Sequence, residues 1–582
     1  MMKIDKNTLY RLIILSIFVF AIFLRGFTVD LHRQIADGDE KTYEYAAKNL
    51  VKYRMFTADR DGSIYNGERK AEPASTIQIG YPIVITIIYA IFGEGKSFFV
   101  FGFQLALSII NMLLAFGIMK RCKCNKIAIL IVLILYAVYP GFIYNINKML
   151  TEPLFTTLLL LFSYFFILAI NSDKIICAFF SAIVLGMATF VRGLAFPYFF
   201  MCLYIFYFYV YNNKRKKILI FSSTYIFTQM WWWIRNYIAF HKIILLTESG
   251  EGPKIWGAMP YYIDMNSSNG KSLTWLLSQD KNINIWVYLR WRIFGFFNYM
   301  WNDIWDEKLV HSTFRCLLWI QLLIIVVVVI VFPIMIKKLD RNILFLSSFP
   351  IAFTIMNMPY HGLPRYLYPS VPFIFIILGF FISNKKVNNI DEKIGCLCWI
   401  RKLGEKIYLI VSIIFSITLC YSIFIFGTQI RTEMSEWRLN KYAKTSIREV
   451  NKKEILTKHV LEEESIIPSS AYKVNGKYIN DGSATSIING NCNDLLDDNV
   501  VSKIELNIKG GYVYDYSVIY WKTDNMEEMD ENHMFKFPIN CFEKKKTIFV
   551  DGNVNNIMVV PVCFSKGKFS IDSIVITKYK ND

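Results

Sequence analysis

Long apolar runs broken by short basic clusters fill the first 430 residues. The first, Leu12–Leu24, follows Lys3, Lys6 and Arg11. Its flanks resemble a signal peptide, but no small-residue cleavage site follows and many more runs come later, so it reads as a retained helix with a cytoplasmic N-terminus. Ten further runs are Phe98–Met119, Ile127–Tyr144, Pro153–Ile170, Ile175–Val191, Leu194–Tyr211, Ile218–Ile234, Cys316–Ile336, Ile343–Met358, Tyr366–Ser383 and Ile407–Thr428. A crossing helix takes ~20 residues and can manage with about 17. Together they predict about eleven spans.

The basic clusters Lys120-Arg121-Cys122-Lys123, Lys214-Arg215-Lys216-Lys217, Lys337-Lys338 and Lys385-Lys386 test that count. All fall on the cytoplasmic side, as the bias of Lys and Arg toward that side requires, provided Ile83–Phe92 does not cross. That short stretch, between Pro82 and Gly93, is then interfacial or re-entrant. Three large segments lie outside: residues 29–97, residues 235–315 and everything after Gln429. The chain therefore divides into a transmembrane part at 1–430, a linker at 431–444 and a polar region at 445–582. Within the last, Ser502-Lys-Ile-Glu-Leu-Asn-Ile and Tyr512-Val-Tyr-Asp-Tyr-Ser-Val-Ile-Tyr alternate with period two. Such alternation between Gly and Asn clusters predicts antiparallel strands, and about 130 residues of them a β-sandwich-like extracytoplasmic domain.

Composition agrees with the pattern. Apolar residues make up 54% and charged residues 19%, against roughly 45–50% and 25% in soluble chains. This is an integral membrane protein. The net charge of +18 then belongs to cytoplasmic loops. No Walker loop, zinc-finger spacing or basic patch interleaved with aromatics points to nucleic acid. Cys122/Cys124 and Cys396/Cys398 have Cys-x-Cys spacing without nearby His, which is not a zinc signature. Cys492, Cys541 and Cys563 permit one disulfide without specifying it.

Polar chemistry collects in three places. In Ala36-Asp-Gly-Asp-Glu-Lys-Thr-Tyr-Glu-Tyr-Ala-Ala-Lys-Asn-Leu50, residues Tyr43, Ala46, Ala47 and Leu50 form one helical stripe. Asp37 reads as an N-cap with Glu40 as its reciprocal partner. Asp39, four residues before Tyr43, extends the apolar stripe, where a carboxylate needs a partner or a task; a first-turn dipole role is the simpler alternative. The second cluster is Glu72-Pro73 with Gly80-Tyr81-Pro82, which a turn before an interfacial helix also explains. The third lies at predicted outer span ends: Lys148 and Glu152, Arg192, Arg235, and His361 with Arg365. Each alone can be an end-of-helix residue reaching for the interface. Several Arg on the outer side run against the charge bias and call for an anionic partner, which Asp39 and Glu152 could supply in part, or a bound phosphate could. Arg matches phosphate with forked donors, and a carboxylate can act as general base toward a hydroxyl or amine.

At these residues the sequence resembles the GT-C membrane glycosyltransferases, in the branch of the protein O-mannosyltransferases and the lipid A aminoarabinose transferase. The matching elements are Asp39-Glu40 with Tyr43 and Ala46, Gly80-Tyr81-Pro82, Glu152-Pro153-Leu154, Trp232 to Tyr237, and Arg365-Tyr366 with Pro369. They occur in order over roughly residues 10–430. The resemblance implies an inverting transfer from a polyprenyl-phosphate-linked sugar to a cell-envelope acceptor at the outer face. Asp39, with Glu40 beside it, would supply the base. Arg235, Arg365 and Arg192, with His361, would hold the leaving phosphate. Asp37, Glu72, Glu152, Tyr43 and Tyr81 would line the acceptor or a metal position. Some members use a divalent cation such as Mg or Mn and others do not, which leaves the cofactor open. The alternative is a transporter or flippase of lipid-linked saccharides; such proteins often carry inverted repeats, and none is evident. A mere anchor for the β-rich tail does not need eleven spans. The Lys, Ile and Asn richness points to an AT-rich, bacterial genome, and hence to a multi-pass protein of the cell membrane.

Overall fold

The computed structural model describes residues 5–30, 33–36, 38–57, 73–247, 257, 285–301, 318–338, 340–360, 362–383, 398–426, 455–462, 471–474, 477–480, 488–491, 494, 500–510, 515–524, 526, 533–539, 545–560 and 568–580. Two compact units emerge: Met1–Asp306 with Trp319–Tyr421, and Glu307–Leu318 with Ser422–Asp582.

The first unit is helical. Its opening helices are α1 (Lys6–Thr28), α2 (Asp39–Tyr53), α3 (Gly80–Phe92), α4 (Ser97–Arg121), α5 (Lys126–Val138) and α6 (Pro140–Tyr144). Next come α7 (Glu152–Asn171), α8 (Ile175–Val191), α9 (Pro197–Tyr209) and α10 (Lys214–Phe240). Further helical segments cover Leu318–Val326, Phe332–Ile336, Arg341–Asn357, Val371–Ile382 and Cys398–Tyr421. Every apolar run of the sequence is thus helical within the described residues. Taken through the tighter and wider turns that join some of them, six stretches are long and apolar enough to cross a membrane alone, Lys6–Thr28, Ser97–Arg121, Glu152–Asn171, Trp319–Ile336, Pro364–Ile382 and Trp399–Ile425, and a seventh if the bent pair of Lys126–Val138 and Pro140–Asn147 is one span. The protein is a multi-pass membrane protein. Helix α3 has 13 residues, which rise about 20 Å against a hydrocarbon core of ~30 Å.

Local chemistry sets the breaks. Pro140 has no N–H to give the Tyr136 carbonyl, so α5 stops and the chain bends by 55°. Arg25, fully buried on α1, fills the gap. Its Nη2 donates to the Tyr136 carbonyl at 3.1 Å and its Nη1 to that of Ala137 at 3.0 Å. Nε donates to Ser108 Oγ at 2.7 Å. Deeper packing is aromatic, with Phe349 stacked on Phe373 at 3.9 Å and on Tyr198 at 4.4 Å between centroids. At Gly80 a Cβ would meet the Phe190 carbonyl carbon at 2.7 Å and the Val191 nitrogen at 2.8 Å. Only glycine lets α3 begin this close to the end of α8, and that contact sets Tyr81 next to the segment that leads into Arg192.

In the second unit the described residues from Ile455 onward form strands and the turns between them, after a helical turn at Ser422–Phe426. The strands are β1 (Ile455–Glu462), β2 (Ala471–Val474), β3 (Lys477–Asn480), β4 (Ile488–Asn491) and β5 (Val500–Gly510). They continue as β6 (Asp515–Thr523), β7 (Met534–Ile539), β8 (Lys545–Asp551), β9 (Val554–Val560) and β10 (Lys568–Lys580). One sheet runs β2-β3-β10-β5-β8 with β1 also on β10, and the other β4-β9-β6-β7, every pairing antiparallel. One core joins them: Ile504, Leu506, Ile548, Ile574 and Ile576 from the first sheet meet Ile519, Trp521, Phe535, Ile557 and Val559 from the second. That is the expected sandwich, and β5 shows why. Ile504, Leu506 and Ile508 are buried while Lys503, Glu505 and Asn507 are not. Cys492, Cys541 and Cys563 lie outside the described residues.

Candidate active site

Four charged side chains from four separate parts of the first unit converge. Asp39 opens α2 and Glu152 opens α7, so both carboxylates sit where helix N–H groups favour negative charge. Arg192 caps the C-terminal end of α8, the end that favours a cation. Arg365 lies in the single turn Pro364–Tyr366. Arg365 Nη2 donates to Asp39 Oδ2 at 2.7 Å, and Arg192 Nη1 lies 3.3 Å from Glu152 Oε1. Arg365 Nε is 3.9 Å from the same Glu152 oxygen, an ion pair too long for a hydrogen bond. The Tyr366 ring packs under both guanidiniums, 5.5 Å from each.

The two acids differ in setting. The Glu152 side chain is 1% exposed and that of Asp39 is 52% exposed. One is a fixed interior charge; the other can meet a ligand or solvent. Tyr43 lies one turn after Asp39, edge-on to Tyr81 at 5.4 Å. Burial, with Asp39 adding to it, pushes the Tyr43 phenol up, the nearby arginines only partly offsetting this. Both phenols therefore stay protonated and can donate. Tyr81 OH, Glu152 Oε1 and Arg365 Nε are buried and lack a hydrogen-bond partner among the described residues. A buried polar group without a hydrogen bond costs about 1–3 kcal/mol, offset in part for Glu152 and Arg365 by their ion pairs.

Other expected site residues lie elsewhere. Glu40 does not cap its helix in the expected way: the N-cap is Gly38, at φ +98° and without a side-chain cap bond, a conformation glycine favours. Glu40 instead accepts a two-pronged grip from Arg33, Nη1 at 2.8 Å and Nη2 at 3.0 Å, and the Met149 N–H at 3.2 Å. Arg33 also donates to the Asn147 carbonyl at 2.6 Å. This joint ties the start of α2 to the segment leading into Glu152, and no motif in the sequence marks Arg33. Arg235 donates to the Ala74 carbonyl at 2.9 Å and to Asn236 Oδ1 at 2.8 Å. Its guanidinium sits among Phe56, Trp232 and Phe240, 5.1–5.6 Å from their ring centres. Asp37, Glu72 and His361 lie outside the described residues.

Among the described residues no three His, Cys, Asp or Glu converge as a metal would require. The two described acids at the site, Asp39 and Glu152, each face a guanidinium, a pair that does not by itself fit a divalent cation. What the arrangement offers is a base on an exposed edge and two forked cations behind it.

No family model and no curated protein matches the chain. Solved structures similar to it include the Archaeoglobus fulgidus oligosaccharyltransferase tethered with an acceptor peptide, at 12% identity and TM-score 0.39 over 74% of this chain. This chain spans 57% of that protein's length. ArnT from Cupriavidus metallidurans bound to undecaprenyl phosphate is similar at 11% identity and TM-score 0.36, over 76% of this chain and 81% of that one. The arabinosyltransferase EmbB from Mycobacterium smegmatis is similar at 9% identity and TM-score 0.31, over 100% of this chain and 65% of that one.

Proposed function

We propose that the chain is an integral membrane glycosyltransferase that moves a sugar from a polyprenyl-phosphate-linked donor to a cell-envelope acceptor on the extracytoplasmic face, with inversion. The observation that carries the reading is the Asp39–Arg365–Glu152–Arg192 cluster. Asp39 accepts the proton of an acceptor hydroxyl or amine as that atom bonds to the anomeric carbon. The bond from that carbon to the phosphate oxygen breaks, and polyprenyl phosphate leaves with the electron pair. Arg365 and Arg192 hold the oxygens on which charge grows, where preorganised donors act most strongly. Glu152 keeps both guanidiniums in place. No step passes through a metal.

Arg235 fits a supporting role better than a phosphate clamp, because its donors and its aromatic box are already engaged. All the groups that act in this scheme belong to the helical unit, and none to the β-sandwich.

The test uses purified protein in proteoliposomes, loaded with a polyprenyl-phospho-sugar pool and a cell-envelope acceptor. Release of polyprenyl phosphate coupled to an anomerically inverted product is expected. Donor translocation across the bilayer without release would make the protein a transporter instead.

A further inference from the structure

We infer that the donor phosphate is seated by ion exchange: it takes Arg365 from Asp39, so the carboxylate becomes a free base only when the donor is bound. This rests on the transferase reading and assigns Asp39 and Arg365 a linked role within it.

The guanidinium edge of Arg365 is the deciding feature. A side-on fork uses Nε and Nη2 together, and paired donors are what make Arg a good phosphate ligand. On Arg365 that edge is half engaged. Nη2 holds Asp39 Oδ2 at 2.7 Å, while Nε is buried without a hydrogen-bond partner among the described residues. Nη2 carries two hydrogens, but Asp39 already sits 2.7 Å from it, so a phosphate laid across the whole edge brings a second anion to that nitrogen and competes with the carboxylate for it. Asp39 can yield it, because its side chain is 52% exposed and water rehydrates the freed carboxylate. Glu152 cannot follow. At 1% exposed, and with Thr151 Oγ1 donating to its other oxygen at 3.3 Å, it stays as the counter-charge that keeps Arg365 and Arg192 in place.

The exchange orders the reaction. Before donor arrival Asp39 is neutralised and cannot activate an acceptor or water. With a phosphodiester on Arg365, Asp39 is released one turn before Tyr43, with a side chain exposed enough to meet an acceptor. After transfer Asp39 carries the acceptor's proton. Loss of that proton to solvent restores its charge, and the carboxylate then competes for Nη2 and helps expel the phosphomonoester.

The consequence runs against the usual expectation for a site mutation. Removing the Asp39 charge should tighten binding of the lipid phosphate, because its rival for Arg365 is gone. The measurement is the Kd of a polyprenyl phosphate for the full chain in detergent, in wild type, Asp39→Asn and Asp39→Ala. A half-exposed pair sets the scale, and both variants should bind roughly two- to fivefold more tightly. In an Arg365→Lys background, where the ammonium offers no fork, the gain should vanish. Equal or weaker binding in both Asp39 variants overturns the exchange while leaving the transferase reading in place. Failure of folded wild type to bind polyprenyl phosphate at all overturns both.

Discussion

Two arginines of the same helical unit, Arg25 buried and Arg365 partly buried, make opposite use of one side chain. Arg25 is closed. Its donors reach the carbonyls of Ala21, Tyr136 and Ala137 and the Ser108 hydroxyl, and its charge lies at the negative end of α5. All its partners are neutral and none can leave. Arg365 is open: one donor rests on a half-exposed carboxylate, and another has no hydrogen-bond partner among the described residues. A filled set of donors makes an arginine a structural bolt. An unfilled set beside an exchangeable anion makes it a ligand site.

The largest effect that separates them falls on Asp39. Asp39→Asn keeps the shape and removes the base, so turnover should fall about 10²- to 10⁴-fold with little change in thermal stability. Arg25→Met should do the reverse. It strips partners from carbonyls that Pro140 already left without a helical bond, and buried carbonyls so stranded cost several kcal/mol in a membrane interior. A loss of about 3 kcal/mol or more is expected by chemical denaturation in detergent, with kcat of the folded protein unchanged. Loss of kcat without loss of stability would place Arg25 with Arg365 and dissolve the contrast.

A third arginine sharpens it further. Arg235 has neutral oxygen partners and three rings around it, so it belongs with Arg25. Arg235→Gln should cost roughly 1–2 kcal/mol of stability through lost packing and hydrogen bonds, and weaken polyprenyl-phosphate binding far less than Arg365→Gln does. Equal losses of affinity would return Arg235 to the phosphate.

Much of this was legible in the chain and some was not, for one physical reason. Signals carried by neighbours in sequence survive translation into structure. The apolar runs became helices, the period-two run 502–508 became β5 with its odd and even residues on opposite faces, and Asp39 and Glu152 stood out as acids at helix starts. Pairings set by distant packing left no local trace. Asp39 and Arg365 are 326 residues apart, and nothing near either names the other. Glu40 shows the limit most plainly. Its spacing from Asp37 satisfies a capping rule, yet a two-pronged Arg33 and a backbone N–H 109 residues away outcompete it. Glu44 is similar: buried on α2, it pairs with Lys48 at 2.8 Å and accepts weakly from Tyr89 OH at 3.5 Å, which a stripe of Tyr, Ala and Leu did not foretell.

The smallest effect concerns a buried cation in the β unit. Lys578 is 0% exposed and lies 2.8 Å from Asp494. Burial alone would raise the Asp494 carboxyl, but hydrogen bonds from Lys578, His459 and Thr457 outweigh it and hold it down at about 2. A folded value below the unfolded one stabilises above pH ~4, and that contribution is lost as pH falls through about 2. With discount for partial exposure it is worth roughly 1 kcal/mol. The melting temperature of wild type should therefore exceed that of Asp494→Asn at pH 5, and the gap should close toward pH 2. A gap that stays constant would remove the charge from the explanation.

In the proposed reaction Asp39, held by Arg365, is the base of a sugar transfer. The most direct test of that role is single-turnover release of polyprenyl phosphate at saturating donor and acceptor, comparing wild type with folded Asp39→Asn. Release by wild type is expected, with a loss of at least about 10²-fold in the variant despite donor binding at least as tight. Equal release by both proteins would contradict that role.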